Sequence, residues 1–67
     1  MRTADDARRY PKAGDVFKLR TGEEVTVWSV NPGGLQIRRP WYNNLTRTRW
    51  TTFLRWAEKA EVLKVVE

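Results

Sequence analysis

Residues 38–50 have the composition best suited to chemistry in this chain of 67 residues, because they combine four arginines with three large aromatic rings. The segment reads RRPWYNNLTRTRW and contains no acidic residue. Guanidinium groups form paired hydrogen bonds with phosphates and carboxylates, and aromatic rings stack on nucleobases or anchor protein interfaces. The segment therefore predicts the binding of an anionic ligand.

The pair Asn43-Asn44 separates two runs with strand character, residues 35–42 and 45–50. Asparagine tolerates the positive φ angles of a two-residue hairpin turn, so we predict a β-hairpin in which Arg38 lies opposite Arg49. By side-chain alternation, one face of this hairpin carries Arg38, Pro40, Tyr42, Leu45, Arg47 and Arg49. Like charges on opposite strands weaken a sheet, and this pairing therefore favours a bound anion.

Two simpler interpretations of these arginines stay open. Arginines on an exposed strand are often only a solvated surface. Pro40 could also introduce a bulge that shifts the register and separates the arginines from one another.

The residues that most enzymes use for acid–base and nucleophilic steps are scarce in this chain. It contains no His and no Cys, which excludes imidazole bases, thiol nucleophiles, disulfides and thiolate metal sites. Its adjacent acidic pairs are Asp5-Asp6 and Glu23-Glu24, and neighbouring residues of a strand point to opposite faces. We expect a non-enzymatic protein without a cofactor or a metal.

The charge balance favours an acidic partner. Thirteen Lys and Arg against eight Asp and Glu give a formal net charge of +5. No apolar run approaches the roughly 20 residues of a membrane span, and the first ten residues lack the hydrophobic segment of a signal peptide. We therefore expect a cytoplasmic protein that does not bind membranes.

The chain divides into a short arm and one domain. Residues 1–12 are predicted as a flexible arm, because a helix capped by Thr3 would be short and Pro11 would end it. Residues 13–67 are predicted as a single domain, at a size where one hydrophobic core is only marginally sufficient.

Apolar alternation predicts strands at residues 16–20 and 24–30, and a third strand begins at Leu35. The valines at 25, 27 and 30 break strict alternation, which indicates a bulge or a bend in the second strand. Whether Trp28 in that strand belongs to the core or forms an exposed platform stays open, as it does for Trp41.

After residue 49 the apolar period changes from two to that of a helix. Trp50, Phe53, Leu54 and Ala57 occupy one helical stripe. Thr48 and Thr51 are the candidate caps of this helix, and Trp56 lies at the edge of the stripe, where half burial is expected. Residues 62–66 form a last β-rich run.

These elements predict an α+β, mainly β domain: a small barrel of four to five short antiparallel strands with one short helix before the last strand. The pattern from residue 14 to 66 carries Gly14-Asp15, a Thr21-Gly22 turn, a Pro32-Gly33-Gly34 turn and the late helix with Trp50, Phe53 and Leu54. In these features the chain resembles SH3-like or KOW-type barrels. It is also similar to small phage- or prophage-encoded domains of unassigned function.

Two functions fit the composition. In the first, the protein is a nucleic-acid-binding module in which Arg38, Arg47 and Arg49 contact phosphates of DNA or RNA, with weak sequence specificity because phosphates carry no base information. Trp41, Tyr42 or Trp28 would stack on an unpaired base. In the second, the same surface binds an acidic protein, as in a phage-encoded adaptor or regulator. In either case the predicted site comprises Arg38, Arg39, Trp41, Tyr42, Arg47 and Arg49, in a monomer or weak homodimer.

Overall fold

A computed structural model describes residues 1–41 and 44–67, so Tyr42 and Asn43 lie outside the described residues. The elements in chain order are α1 (Ala4–Arg9), β1 (Val16–Lys18), β2 (Glu24–Asn31), β3 (Gly34–Arg38), β4 (Thr46–Thr48), α2 (Trp50–Ala57) and β5 (Glu61–Lys64). Five short strands with a helix before the last one confirm the predicted mainly-β class, and α1 is an additional helix.

The strands form one antiparallel sheet in the order β4-β3-β2-β1-β5. The sheet is open, with β4 and β5 as its edges. Each strand pairs with a strand close to it in the sequence except β5, which returns across the sheet to pair with β1. The helix α2 and the turn after it make this return, because they connect one edge of the sheet to the other.

The hydrophobic core lies between one face of the sheet and α2. The strands contribute Phe17, Val25, Val27, Leu35 and Ile37, all of them buried. From α2, Phe53 packs edge-on against Phe17, with ring centroids 5.6 Å apart, and Trp56 contacts both rings in the same geometry. Such edge-to-face contacts stabilise the core beyond the effect of the area that the rings bury, which suits a small core. Trp56 is half-buried, as expected.

The helix α2 departs from the prediction in two respects. Arg49 occupies its N-cap position without a side-chain cap bond, so the prediction of a threonine cap is wrong. Thr48 is instead buried as the residue of β4 opposite Leu35. Leu54, which the periodicity assigned to the core stripe, is 44% exposed and lines a groove with Tyr10 and Val30.

The predicted register of the Arg-rich hairpin is wrong. A hairpin with Arg38 opposite Arg49 would place Arg47 opposite Pro40. In the structure Arg47 lies opposite Gln36, four residues earlier in the chain. Proline has no N–H to give to a ladder, and β3 accordingly ends at Arg38. Residues 39–45 connect the strands, and the predicted Asn43-Asn44 turn falls partly outside the described residues. Because the shift is an even number of residues, it does not change which side chains share a face.

Of the bulge and the bend that the valine spacing in β2 left open, the structure has the bulge. The pairing of β2 with β3 shifts between Val27 and Ser29, so Trp28 is the extra residue. Alternation already turns Trp28 away from the core that Val27 enters, and the extra residue places Ser29 on the outer side as well and returns Val30 to the side of Leu35. Trp28 is consequently exposed on the opposite face of the sheet.

The turn between β2 and β3 lies at Pro32 and Gly33, as predicted, but the positive φ falls on Gly34 (155°) rather than on Gly33. A Cβ at Gly34 would lie 2.7 Å from the carbonyl oxygen of Thr48. Glycine is therefore required where the end of β4 approaches β3 closely.

The segment predicted as a flexible arm contains α1 in the structure. Thr3 caps it, and Asp6 completes a capping box by accepting a hydrogen bond from the backbone N–H of Thr3. Ala7 is buried in the core cluster. A detached arm would therefore have to break these contacts.

Asp15 ties both chain ends to the sheet. Its buried carboxylate accepts two hydrogen bonds from the Arg2 guanidinium, each 2.9 Å, and one each from the backbone N–H groups of Lys12 and Val66, both 2.8 Å. Burial raises the pKa of Asp15, but the hydrogen bonds from Arg2, Val66 and Lys12 together outweigh it, and the net pKa lies below its usual value. The carboxylate is therefore held in its charged form.

Candidate functional site

The face of the sheet that points away from the core carries most of the candidate site. We define this outer face by Trp28 and Ser29 of β2, Gln36 and Arg38 of β3, and Arg47 of β4. Gln36, Arg38 and Arg47 alternate with buried residues of their strands, and Trp28 and Ser29 lie at the bulge. The same pattern that builds the core therefore places all five outside. The three strands β2, β3 and β4 are adjacent, which brings residues from three separate stretches of sequence together.

Trp28 and Arg38 form a pair on this face. The Cζ atom of Arg38 lies 5.7 Å from the centroid of the Trp28 ring, within the range of a cation–π interaction. The interaction orders both side chains, and 51% of Trp28 stays exposed. Arg38 is exposed as well, so its hydrogen-bond donors remain accessible.

Arg47 and Arg49 extend the positive charge towards the edge of the sheet. Arg47 lies opposite Gln36, whose Oε1 accepts a hydrogen bond of 2.9 Å from Ser29 Oγ. This bond fixes the amide group of Gln36 between Ser29 and Arg47. Arg49 has extended φ and ψ angles, so alternation continues past β4 and places it on the same side as Arg47.

The charges of these arginines are not compensated nearby. Residues 1–41 and 44–67 contain three ion pairs, and their cations are Arg2, Arg8 and Arg39. Among those residues, Arg38, Arg47 and Arg49 have no carboxylate within ion-pair distance. An anion that binds the outer face therefore meets charges that no internal partner neutralises.

Arg39 and Trp41 lie in a different environment. Glu23, which precedes β2, forms an ion pair with Arg39 and accepts a hydrogen bond of 2.9 Å from Trp41 Nε1. The Arg39 Cζ atom lies 5.8 Å from the centroid of the Trp41 ring. These three residues, which we call the Glu23 clamp, fasten the chain after β3 to the turn between β1 and β2.

The other half of the same sheet face is balanced in charge. Lys18 of β1 lies opposite Glu24 of β2 on one side and opposite Glu61 of β5 on the other. Opposite charges on neighbouring strands attract each other and reduce the field that a distant anion meets. The positive charge of this face is therefore concentrated on β3, β4 and the residue after β4.

The predicted site is brought together only in part. Arg38, Arg47 and Arg49 share the outer side, whereas Arg39 and Trp41 belong to the Glu23 clamp and Tyr42 lies outside the described residues. Trp28 was considered as a stacking residue but was not included in the predicted site. The sequence left open whether its ring is core or exposed, and its position directly after Val27 in an alternating strand was the available signal.

In comparisons with family models, with curated proteins and with solved structures, no match was found. Among the residues described, no helix has the length and apolar character needed to cross a bilayer. Function is therefore inferred from the chemistry of the described side chains.

Proposed function

We propose that the protein is a non-enzymatic module that binds single-stranded nucleic acid on its outer face. Arg38, Arg47 and Arg49 contact consecutive phosphates, and the exposed ring of Trp28 stacks on an unpaired base. The observation that carries this proposal is the juxtaposition of an exposed Trp28 with Arg38, at 5.7 Å, on a face whose arginines have no acidic partner among the described residues.

The preference for a single strand follows from the aromatic contact. Bases in a duplex stack on each other and present only their edges, whereas an unpaired base offers a whole face to an indole ring. Stacking on one ring contributes about 1–3 kcal/mol, and it tolerates any base. Phosphate contacts also carry no base information, so we expect weak sequence specificity on both DNA and RNA.

The test measures the anisotropy of labelled single-stranded DNA, single-stranded RNA and duplex DNA during titration with the protein at several salt concentrations. For wild-type protein we expect saturable binding that is tighter for the single strands. Three phosphate contacts predict a log–log salt slope of about −2 on a single strand. The Arg38/Arg47/Arg49→Gln variant should lose most of both the affinity and the slope.

A matched variant controls for net charge. Arg9, Arg55 and Lys59 are exposed residues of the helical side, and replacing them by Gln removes the same three charges from the formal +5. We expect this variant to keep most of the binding. Equal losses in both variants would show that only net charge matters, and full binding by the outer-face variant would exclude that face. In the latter case an acidic protein becomes the leading candidate partner.

The finer expectations from the sequence belong to the same proposal. We infer that the open sheet is an SH3-like or KOW-type barrel in which the edge strands β4 and β5 do not pair with each other. The strand order and the helix between β4 and β5 support this inference. Likeness to phage- or prophage-encoded domains, a cytoplasmic location and a monomeric or weakly dimeric state are part of the proposal as well.

A further inference from the structure

A second exposed surface lies on the helical side of the molecule, away from the outer face. It is a groove between the end of α1, the end of β2 and the first turns of α2, and its lining residues are Arg9, Tyr10, Pro11, Val30, Trp50 and Leu54. The groove measures about 370 Å³, near the lower limit of ~300 Å³ for ligand pockets, which gives room for one or two side chains.

The walls of this groove are held in place by hydrogen bonds to the backbone. Trp50 Nε1 donates a hydrogen bond of 2.9 Å to the carbonyl oxygen of Asn31, and the ring packs edge-on against Phe53. On the opposite wall, the carbonyl oxygen of Tyr10 accepts a hydrogen bond of 2.9 Å from Arg2. An occupant would therefore meet a preformed surface and lose little affinity to ordering it.

The apolar part of the groove is not covered by this chain. Tyr10, Val30 and Leu54 are all exposed, and Trp50 in the same groove packs against the buried core. These side chains give the groove an exposed apolar lining, which suits the side chain of a bound partner.

A modest excess of positive charge borders the groove on one side. A neighbouring hollow continues from the groove across Arg9 and Leu54 and brings in Arg8 and Arg55. It also contains Asp5, which is paired with Arg8, and Glu58. Arg9 and Arg55 form no ion pair among the residues described, and neither does Glu58, so three arginines and two carboxylates leave the rim with a net charge of +1. A second copy of this chain would bring its own charge of +5 against that rim and is disfavoured.

We propose that the groove binds an acidic peptide segment of another protein. A large apolar side chain of the segment enters between Val30, Trp50 and Leu54, and a carboxylate a few residues away contacts Arg9 or Arg55. Because this surface and the outer face share no residue, peptide binding does not depend on the proposed binding of nucleic acid.

The test selects peptides from a displayed random library of short peptides on the immobilised protein, with no nucleic acid present. The enriched peptides are synthesised, and their affinities are measured for wild type, Leu54→Ser and Leu63→Ser. The two leucines are matched, since each is 44% exposed, but Leu63 lies on β5 outside the groove. We expect peptides that combine a large apolar residue with Asp or Glu, at least a tenfold loss of affinity with Leu54→Ser and less than a twofold loss with Leu63→Ser.

Two further variants keep the test decisive. Val30→Thr changes the polarity of the groove but keeps a β-branched residue in the strand, so it should fold even if Leu54→Ser does not. Arg9→Gln with Arg55→Gln should weaken binding severalfold and reduce its salt dependence. The proposal is overturned if no peptide is enriched, if the enriched peptides lack acidic residues, or if Leu54→Ser and Val30→Thr both bind like wild type. Loss of peptide binding in the Arg38/Arg47/Arg49→Gln variant would also overturn it.

Discussion

Arg38 and Arg39 are neighbours in the chain, and each lies against a tryptophan at nearly the same distance, 5.7 Å for Trp28 and 5.8 Å for Trp41. They differ in what surrounds them. Arg39 is paired with Glu23, whereas Arg38 has no acidic partner among the described residues. Arg38 is the last residue of β3 and Arg39 is the first residue after it, so a single position in the sequence decides which environment each arginine enters.

This difference shows that residue types alone do not define a binding surface. An arginine over a tryptophan with a carboxylate beside it is already neutralised and holds two parts of the fold together. The same pair without the carboxylate keeps its charge available to an external anion. Arg2 is the most strongly compensated arginine of the three, because its carboxylate partner Asp15 is fully buried.

The largest expected effect concerns this buried pair. Asp15→Asn removes the charge that Arg2 contacts at two points, and we expect it to lower the free energy of unfolding by about 3 kcal/mol. Glu24→Gln, an exposed carboxylate without an ion pair in the described part of the chain, should change it by less than about 0.5 kcal/mol. Urea unfolding followed by tryptophan fluorescence measures both. If both substitutions change the free energy of unfolding by similarly small amounts, the ion pair between Arg2 and Asp15 contributes little to stability.

The same pair predicts a dependence of stability on pH. Because the pKa of Asp15 is lower in the folded state than its usual value, folding favours the charged carboxylate. Its contribution is fully present above about pH 4, the ordinary pKa of an aspartate, and disappears as the pH falls through the lowered folded value. In Asp15→Asn this part of the acid-induced loss should be missing. Parallel acid titration curves for the two proteins would contradict the expectation.

The next effect separates the two tryptophans. Trp28→Ala should reduce the affinity for single-stranded DNA or RNA by about 5- to 150-fold, because stacking on one ring contributes ~1–3 kcal/mol. Trp41→Ala should change the affinity less than twofold although its ring is 67% exposed, because the Glu23 carboxylate that accepts its indole N–H repels the phosphates of a bound strand. Anisotropy titrations at one salt concentration make the comparison. A larger loss with Trp41→Ala would place the binding surface at the Glu23 clamp.

A smaller effect distinguishes the two neighbouring arginines. Arg38→Gln and Arg39→Gln remove the same charge one residue apart, so each is the control for the other. Arg38→Gln should reduce the magnitude of the log–log salt slope by about 0.7, the value for one phosphate contact on a single strand. Arg39→Gln should leave the slope unchanged. Equal changes in both variants would mean that the ion pair with Glu23 does not matter for binding.

The smallest expected effect comes from removing the carboxylate partner of Arg39, which leaves this arginine uncompensated like Arg38. Glu23→Gln removes the carboxylate from Arg39 and should strengthen nucleic-acid binding, with an increase in the salt slope of at most about 0.7. The ion pair is partly exposed, so the cost in stability should be below about 1 kcal/mol. Anisotropy and thermal unfolding of the same preparation measure both quantities. Weaker binding would show that the Glu23 clamp supports the site.

Much of the fold could be predicted because its signals are local. The alternation around Phe17 and the helical spacing of Trp50, Phe53 and Ala57 depend on neighbours within a few residues. The bulge at Trp28 was also visible as a break in the valine pattern. For the site, the alternation of side chains along each strand was sufficient to place Arg38, Arg47 and Arg49 on one side. The wrong hairpin register did not change this, because the register differs by an even number of residues.

What the sequence by itself determined is therefore the order of the strands and of α2, and which arginines share a side, since both follow from the two-residue and 3.6-residue periods of the backbone. Only the tertiary structure decided which charges remain available. Glu23 reaches Arg39 and Trp41 from more than a dozen residues away, and Asp15 joins Arg2 to Val66 near the two ends of the chain. Such pairs form only when long-range packing brings distant segments together, because many carboxylates compete for each arginine in an unfolded chain and the fold selects one.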